Sequence, residues 1–239
     1  MRAMKAIVSA ALFCLLTGLV CAQEKAVPLT EESHHQLLLE NEYTRVFHVV
    51  LAPKESTLMH QHERDYVYVM IGSSQVEVMK PGAAPMPMKL NDGDVKFTKA
   101  PLAHKVTNTG ETPFVNLTIE VKKASTKSVC GASWAGVQAE KKGGCDSLVT
   151  GLSGEVDILE TDAVEAVTYF AAGSGTGFTY HDADNPRLLV ALTPIRCHCG
   201  GDQDLKMSAG DVAWLPKGTL ADISKTGNFG PHVVMVSFK

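Results

Sequence analysis

The stretch Met59-His60-Gln61-His62-Glu63-Arg64-Asp65-Tyr66 carries two histidines two residues apart. In a β-strand, residues two apart point to the same face, so His60 and His62 would present both imidazoles on one side. A third histidine, His104, follows the turn signal Gly93-Asp94 and a new apolar run. Three convergent neutral imidazoles suit a divalent transition metal. The sequence therefore predicts a metal site at these three histidines.

These residues resemble the motifs of the cupin family. The first family motif ends in His-x-His, which His60 and His62 match. The second is Gly-Asp followed at fixed spacing by Pro, His and Asn, and it is matched by Gly93, Asp94, Pro101, His104 and Asn108. The resemblance implies an all-β fold built from double-stranded β-helix, or jelly-roll, barrels. It also implies one divalent transition metal on the three histidines: iron first, with manganese, zinc, nickel and copper as alternatives.

The fourth ligand of the family site is a glutamate four or five residues after the second histidine of the first motif. Here those positions hold Tyr66 and Val67. Glu63 and Asp65 lie nearby, but their odd offsets from His62 direct them to the opposite face of an unbroken strand. A turn would bring Asp65 round to the site. The predicted metal site is therefore the three histidines, completed by Asp65 or by water.

Two more residues of the same stretch are catalytic candidates. Tyr66 is an even step from His62, so its phenol would face the site, where it either orients a bound oxygen or substrate or simply packs. Arg64 either pairs with an anionic substrate or remains a solvated charge. The pair His34-His35 precedes the first predicted strand and is expected to be exposed.

Short apolar runs at regular spacing, separated by Gly, Pro and Asp, indicate an all-β barrel or sandwich. In the first half the predicted strands are 45–51, 66–71, 75–79, 88–90, 95–98 and 114–121. Residues 162–170 are the one segment whose pattern allows a short helix.

The second half repeats the first in outline. Gly210-Asp211 followed by Pro216 repeats the second motif, with Ala221 where its histidine belongs. His181-Asp182-Ala183 stands where the first motif should be and lacks its second histidine. The chain therefore resembles a bicupin whose second barrel has lost its ligands, so that any chemistry belongs to the first. The expected organisation is a signal peptide at 1–22, an N-terminal metal-binding cupin domain at 33–123, a connection at 124–150 and a degenerate C-terminal cupin domain at 151–239.

The N-terminus has the features of a cleaved signal peptide: a basic start, an uncharged apolar run from Ala6 to Val20, and small residues around Cys21. A membrane anchor is the alternative, but the run is short for a full span. The mature protein is expected to be periplasmic or secreted, without membrane contact after cleavage. The full chain has a formal net charge of -4, and cleavage makes it more acidic, which argues against nucleic acid as a partner.

An exported protein can form disulfides. Cys130 and Cys145 flank the polar connection and are predicted to pair. Cys197-His198-Cys199 places two sulfurs on one face of a strand. This pattern indicates a small metal or redox motif. The alternatives are that the two cysteines form long-range disulfides or pack as a buried pair.

Two classes of function remain open. Three-histidine cupins include iron-dependent dioxygenases, and three facial ligands leave metal positions for substrate and dioxygen. The resemblance thus implies a dioxygenase acting on a small organic substrate. The alternative is a non-catalytic cupin that binds a metal or a small molecule. The second barrel would then serve as structure, either covering the first barrel or forming a homodimer surface.

Overall fold

The structure, a computed structural model, describes residues 25–126, 128–131, 147–150, 153–171, 177–181, 184–201 and 203–239. Residues 128–131, 147–150 and 153 are described by their backbone only. The predicted signal peptide at 1–22 lies outside the described residues, and so does Cys145 of the predicted Cys130–Cys145 pair. In the described part of the chain, no helix has the length and apolar character that a membrane span requires.

The described residues form 21 strands and a single 3-10 turn at Leu29–Glu31. The first half contains β1 (Val27–Pro28), β2 (His35–Glu40), β3 (Thr44–Leu51), β4 (His60–His62), β5 (Tyr66–Met70), β6 (Ser74–Met79), β7 (Met86–Leu90), β8 (Val95–Thr98), β9 (Leu102–Asn108) and β10 (Phe114–Val121). The second half contains β11 (Ser128–Gly131), β12 (Ser147–Thr150), β13 (Ser153–Thr161), β14 (Val164–Ala171), β15 (Gly177–His181), β16 (Arg187–Ala191), β17 (Ile195–Cys199), β18 (Asp204–Met207), β19 (Val212–Leu215), β20 (Leu220–Lys225) and β21 (His232–Phe238).

The first ten strands form two five-stranded sheets, in the orders β1-β4-β9-β6-β7 and β2-β3-β10-β5-β8. Because side chains alternate along a strand, each sheet turns one apolar face inward. The inner faces meet in a cluster of Val49, Leu51, Met70, Val76, Leu90 and Phe114, to which both sheets contribute. The six strands predicted for this half are confirmed as β3, β5, β6, β7, β8 and β10, with small shifts at their ends.

The second half forms a larger sheet, ordered β11-β13-β14-β21-β16-β19 with β12 beside β13, and a smaller sheet ordered β15-β20-β17-β18. Their inner faces share a second apolar cluster, which includes Leu189, Ile195, Leu215, Ile223 and Met235. The chain thus folds into two jelly-roll barrels. The prediction that residues 162–170 could form a short helix was wrong. Most of this segment belongs to β14, which pairs with β13 on one side and with β21 on the other.

The two barrels pack against each other through a third apolar cluster. Along β10, the even-numbered Phe114, Asn116 and Thr118 face the interior of the first barrel, whereas Leu117 and Ile119 point out of it. The outward residues meet the outer face of the larger second sheet, where the contributing side chains include Ile158, Leu188, Val190, Val234 and Val236. Burial of each such side chain contributes about 1.5–3 kcal/mol, so the second barrel covers and stabilises a face of the first.

The first barrel also includes β1 and the 3-10 turn, which precede the predicted domain start at residue 33. β1 pairs in parallel with β4, placing Val27 opposite His60. A strand of two residues is too short to show a periodic pattern, so β1 could not be predicted from the sequence. β1 and β9 flank β4 on its two sides. This arrangement holds the His-x-His segment in a fixed position.

Candidate metal centre

The three predicted histidines come together on two neighbouring strands. His60 and His62 lie on β4 with inward side chains, and both residues are buried. β4 pairs with β9 in an antiparallel register that sets His60 opposite His104. The His104 ring centroid lies 4.6 Å from that of His60 and 5.1 Å from that of His62. The fold therefore brings together the rings that the sequence predicted as ligands.

The nitrogen atoms of His60 and His62 suggest that a cation belongs between them. The Nδ1–H of His60 donates a hydrogen bond to the carbonyl oxygen of Leu58, 3.0 Å away. In the neutral ring, the Nε2 of His60 therefore carries a free lone pair. That Nε2 lies 3.2 Å from the Nε2 of His62. Two ligand nitrogens at right angles on one ion, with bonds of about 2.1 Å, would be about 3 Å apart. The buried Nδ1 of His62 has no hydrogen-bond partner among the described residues.

Burial keeps these imidazoles neutral. It lowers the pKa of His60 to about 4 and that of His104 to about 3, and neighbouring histidines reinforce both shifts. The pKa of His62 is lowered further, again by burial first and then by His104 and His60. Neutral imidazole is the form that binds a metal ion, so the donor set fits a divalent transition metal at neutral pH.

A fourth histidine, which the sequence analysis expected to be exposed, joins this group. His35 lies at the start of β2, and its side chain is only 4% exposed. Its ring centroid is 4.7 Å from that of His60. Among the described residues, the one group of three with ligand atoms all within 4.8 Å of one another is His35, His60 and His62. A motif search centred on His-x-His cannot find His35, because it comes from a separate strand on the opposite sheet.

Glu32, just before β2, connects this histidine to the rest of the site. Its buried carboxylate lies 2.6 Å from Nδ1 of His35 and 2.8 Å from Nδ1 of His34. It also accepts a hydrogen bond of 3.2 Å from the backbone N–H of Leu58. Burial alone would raise the pKa of Glu32, but the hydrogen bonds from His35 and His34 outweigh it and lower the pKa to about 2. Glu32 is therefore a buried anion that fixes the orientation of its neighbours.

Tyr66 faces the site, as predicted from its even offset. Its ring stacks on that of His62, with centroids 4.1 Å apart and planes 20° from parallel. Burial raises the pKa of Tyr66 to about 12, so the phenol keeps its proton at neutral pH. Arg64, the other catalytic candidate, is exposed and does not line the cavity described below. The structure therefore brings Tyr66 to the histidines, but not Arg64.

Asp65, considered as a fourth ligand, uses its carboxylate elsewhere. Oδ1 accepts a hydrogen bond from the N–H of Ala100 at 2.9 Å. Oδ2 accepts from Lys99 Nζ at 2.8 Å and from the N–H of Ser125 at 2.9 Å. Residues 63–65 connect β4 to β5 and are not part of an unbroken strand, but this connection does not bring the Asp65 carboxylate to the histidines. Asp65 thus joins three loops rather than the histidine cluster.

The histidines lie in the wall of a cavity of about 330 Å³ inside the first barrel. Most of the remaining wall is apolar or aromatic, formed by Val49, Tyr68, Val76, Val78, Met86, Met88, Leu90, Phe97, Leu102, Val106 and Phe114. Lys80, Lys96 and Lys99 also line the cavity, and the described lining residues include no Asp or Glu. Lys99 is paired with Asp65, whereas Lys80 and Lys96 form no ion pair with any described residue.

Comparison with known proteins identifies the fold through structure alone. No family model matches the chain, and no curated protein matches it by sequence. Among solved structures, AerE from Microcystis aeruginosa superposes with a TM-score of 0.59 at 12% identity, over 86% of this chain and 97% of the other. Oxalate decarboxylase of Bacillus subtilis, described with Mn(II) centres, gives 0.58 at 10% identity, over 83% and 70% of the two chains. A variant of salicylate 1,2-dioxygenase from Pseudoaminobacter salicylatoxidans gives 0.57 at 10% identity, over 82% and 70%.

The chain has the cupin fold. Both barrels fall within this likeness, because each comparison covers more than four fifths of the chain. At these identities the likeness concerns the fold, so the chemistry has to be argued from the side chains of this protein.

The second cupin barrel has a different interior. Ala221 is fully buried and lies opposite Tyr180 in the pairing of β20 with β15, while His181 is exposed. Apolar and aromatic side chains fill the space around them. Cys197 and Cys199 face inward from β17 with their sulfurs in contact, and His198 faces outward.

Proposed function

We propose that this protein is a metal-dependent enzyme whose first cupin barrel binds one divalent transition ion and acts on a small organic substrate. The observation that carries the proposal is the convergence of His60, His62 and His104, the first two of them buried, on the wall of a cavity of about 330 Å³. A cavity of this size matches small-molecule sites in general. His60, His62 and His104 would hold the ion, and we propose iron, with manganese, zinc, nickel and copper as alternatives.

We assign the reaction to the dioxygenase class. A bound redox-active ion would supply the site at which dioxygen and the substrate meet. The protein contributes the surroundings. The apolar wall excludes water, and the stack of Tyr66 on His62 fixes that imidazole. The protonated phenol of Tyr66 can donate a hydrogen bond to an oxygen of the substrate.

The cavity favours a small organic anion with an apolar body. Lys80 and Lys96 provide positive charge at the wall, and the described lining residues include no carboxylate to oppose it. The largely apolar wall favours a hydrocarbon or aromatic body over a fully polar one. Two of the structural neighbours are named for oxalate and salicylate, which are both carboxylates. Carboxylic acids are therefore the first substrates to test.

Oxygen uptake by the iron-loaded protein tests this proposal. The panel would contain aromatic and short-chain carboxylates, diketones, phenols and thiols. We expect uptake with at least one of them, and none with the metal-free protein or with the His60→Ala, His62→Ala double variant. Absence of turnover across the panel, by protein shown to contain one ion per chain, would overturn the enzymatic assignment.

The second candidate is a non-catalytic binding protein. It is favoured by one observation: the described cavity wall offers no Asp or Glu as a general base. In that case, calorimetry would detect binding of a small organic anion to the metal-loaded protein without any product.

For either function we propose that the protein is exported and that its mature chain begins near Gln23. Mass spectrometry of the secreted protein would test this, and an intact Met1 would contradict it.

A further inference from the structure

We infer that His35 is a metal ligand and that Glu32 positions it, so that four imidazoles rather than three surround the ion. The inference rests on the proposed metal site and adds a residue to it. His35 takes the place of the glutamate ligand that the family motif has four or five residues after its second histidine. It comes from β2 in the opposite sheet, whereas the other three histidines lie on β4 and β9.

The first argument is the position of the His35 ring. Its ligand atom lies within 4.8 Å of those of both His60 and His62. The ring centroids are 4.7 Å from His60 and 6.1 Å from His62, and the His35 ring is tilted to both. His35 also lines the same cavity as the other three histidines. A single ion between these rings would therefore have His35 within reach.

The second argument is the partner of the other ring nitrogen. Nδ1 of His35 faces the Glu32 carboxylate at 2.6 Å, so Nε2 is the nitrogen left for a metal. Histidine ligands commonly donate their second N–H to a carboxylate, which fixes the tautomer and the ring orientation and strengthens the ligand. The Glu32 side chain is fully buried and faces Nδ1 of His35, so it is placed to act in this way. The contacts of the Glu32 carboxylate with the described residues are made by His34, His35 and the backbone N–H of Leu58, and they include no Lys or Arg.

The third argument is that Glu32 is linked to a second ligand through the backbone of a single residue, Leu58. It accepts a hydrogen bond from the N–H of Leu58, and the carbonyl of Leu58 accepts from Nδ1 of His60. One carboxylate thus orients His35 directly and His60 indirectly. A purely structural carboxylate would not need to be linked to two members of the histidine group.

Titration of the metal-free mature protein with Co(II) tests the inference. Affinity would be measured by competition with a chelating dye, and coordination by the visible absorption of the bound ion. We expect His35→Ala to raise the Kd by at least about 100-fold, because loss of a ligand should cost no less than the 10- to 100-fold that loss of an outer partner costs, and to change the spectrum. His34→Ala is the matched control, because His34 also bonds Glu32 at 2.8 Å but does not line the cavity. It should keep the spectrum and change the Kd by less than the roughly 10-fold that loss of an outer partner costs.

Variants that keep the local hydrogen bond separate a ligand from a packing residue. His35→Gln can still donate to Glu32 but offers no imidazole, so it should behave like His35→Ala. Free imidazole should restore the spectrum of His35→Gly. Glu32→Gln keeps an acceptor for Nδ1 and should keep the wild-type spectrum with a Kd about 10-fold higher, whereas Glu32→Leu should lose the spectrum as well.

The failures are distinguishable. Wild-type Kd and spectrum in a folded His35→Ala or His35→Gln protein would overturn the role of His35 and leave the proposed function intact. Failure of the wild-type protein itself to bind Co(II) would overturn the proposed function, and this inference with it.

Discussion

The Nε2 atoms of His60 and His62 face each other across 3.2 Å in a buried part of the first barrel. The Nδ1–H of His60 is committed to the carbonyl of Leu58, so its Nε2 presents a lone pair to its neighbour. Two lone pairs at this distance repel each other unless a proton or a cation lies between them. A proton on Nε2 of His62 can fill this place in the metal-free protein, and a bound ion that replaces it should add stability by engaging both nitrogens at once.

The first prediction follows from this pair. A divalent ion at 100 times its Kd should stabilise the wild-type protein by about 2.7 kcal/mol. His62→Ala should abolish both this stabilisation and most of the bound metal. Thermal unfolding with and without metal, together with elemental analysis, would measure both effects. His198→Ala is the control, because His198 faces outward from the second barrel. Equal metal content in the His62→Ala and His198→Ala proteins would refute the site.

The second prediction concerns the stack of Tyr66 on His62. Tyr66→Phe keeps the ring and should leave metal affinity unchanged. Tyr66→Ala removes the ring that holds His62 and should weaken metal binding by about 10-fold, as expected for loss of an outer partner. If the phenol also orients the substrate, Tyr66→Phe should lower kcat without changing metal content. Metal affinity and oxygen uptake, measured on both variants, would separate these two roles.

The third prediction assigns Asp65 to stability. Asp65→Asn should lower the free energy of unfolding by about 1–3 kcal/mol, because it removes a buried charged acceptor from three donors. Metal content should not change. Glu63→Gln is the matched control, since Glu63 is an exposed neighbour that was considered for the same ligand position. A loss of metal in Asp65→Asn, without loss of stability, would contradict this assignment.

The contribution of Asp65 should also depend on pH. Burial would raise its pKa, but hydrogen bonds from Lys99, Ala100 and Ser125 outweigh burial and hold the pKa below its usual value. The stabilisation is therefore present above the unfolded pKa, about 3.9, and is lost as the pH falls through the lower folded value. The difference between wild type and Asp65→Asn in urea unfolding should be full at pH 7 and smaller at pH 3.

The sequence reveals those parts of this fold that leave a periodic or motif signal. β10 alternates apolar and polar residues, and β3 is rich in β-branched and apolar residues. The offset of two between His60 and His62 places both on one face of a strand. β1 is too short to show a period. The pattern of β14 also allows a helix, and its pairing with β13 and β21 determines that it is a strand. His35 joins the site only because the two sheets of the first barrel pack face to face, which brings β2 opposite β4 and β9.

The fourth prediction concerns the contact between the barrels. Ile119 is fully buried in the cluster that both halves share. Ile119→Ala should therefore cost about 2–5 kcal/mol of stability. Tyr43 stacks on Trp214 across the same boundary, with ring centroids 5.6 Å apart. Unfolding followed by tryptophan fluorescence and by circular dichroism should show one transition for both barrels. Val50→Ala, at a partly exposed position, should change stability by less than about 0.5 kcal/mol.

The last prediction is that metal binding is confined to the first barrel, at one ion per chain. In the second barrel, His181 is exposed, and the position of the motif histidine holds Ala221, which is fully buried. Tyr180 lies opposite Ala221 and stacks beneath Arg187, whose guanidinium carbon is 4.5 Å from the ring centroid. Around Ala221, the described side chains are thus apolar, aromatic or cationic, and none of them is an imidazole.

Two variants test this prediction from opposite directions. His181→Ala should leave the metal content at one ion per chain, because a single exposed imidazole cannot hold an ion against water. Ala221→His should destabilise the protein by about 1–3 kcal/mol through overpacking of the second barrel, and should not raise the metal content. Elemental analysis and urea unfolding of both proteins would measure these effects. A wild-type protein with two ions per chain, one of them lost in His181→Ala, would place a metal site in the second barrel and contradict this division of roles.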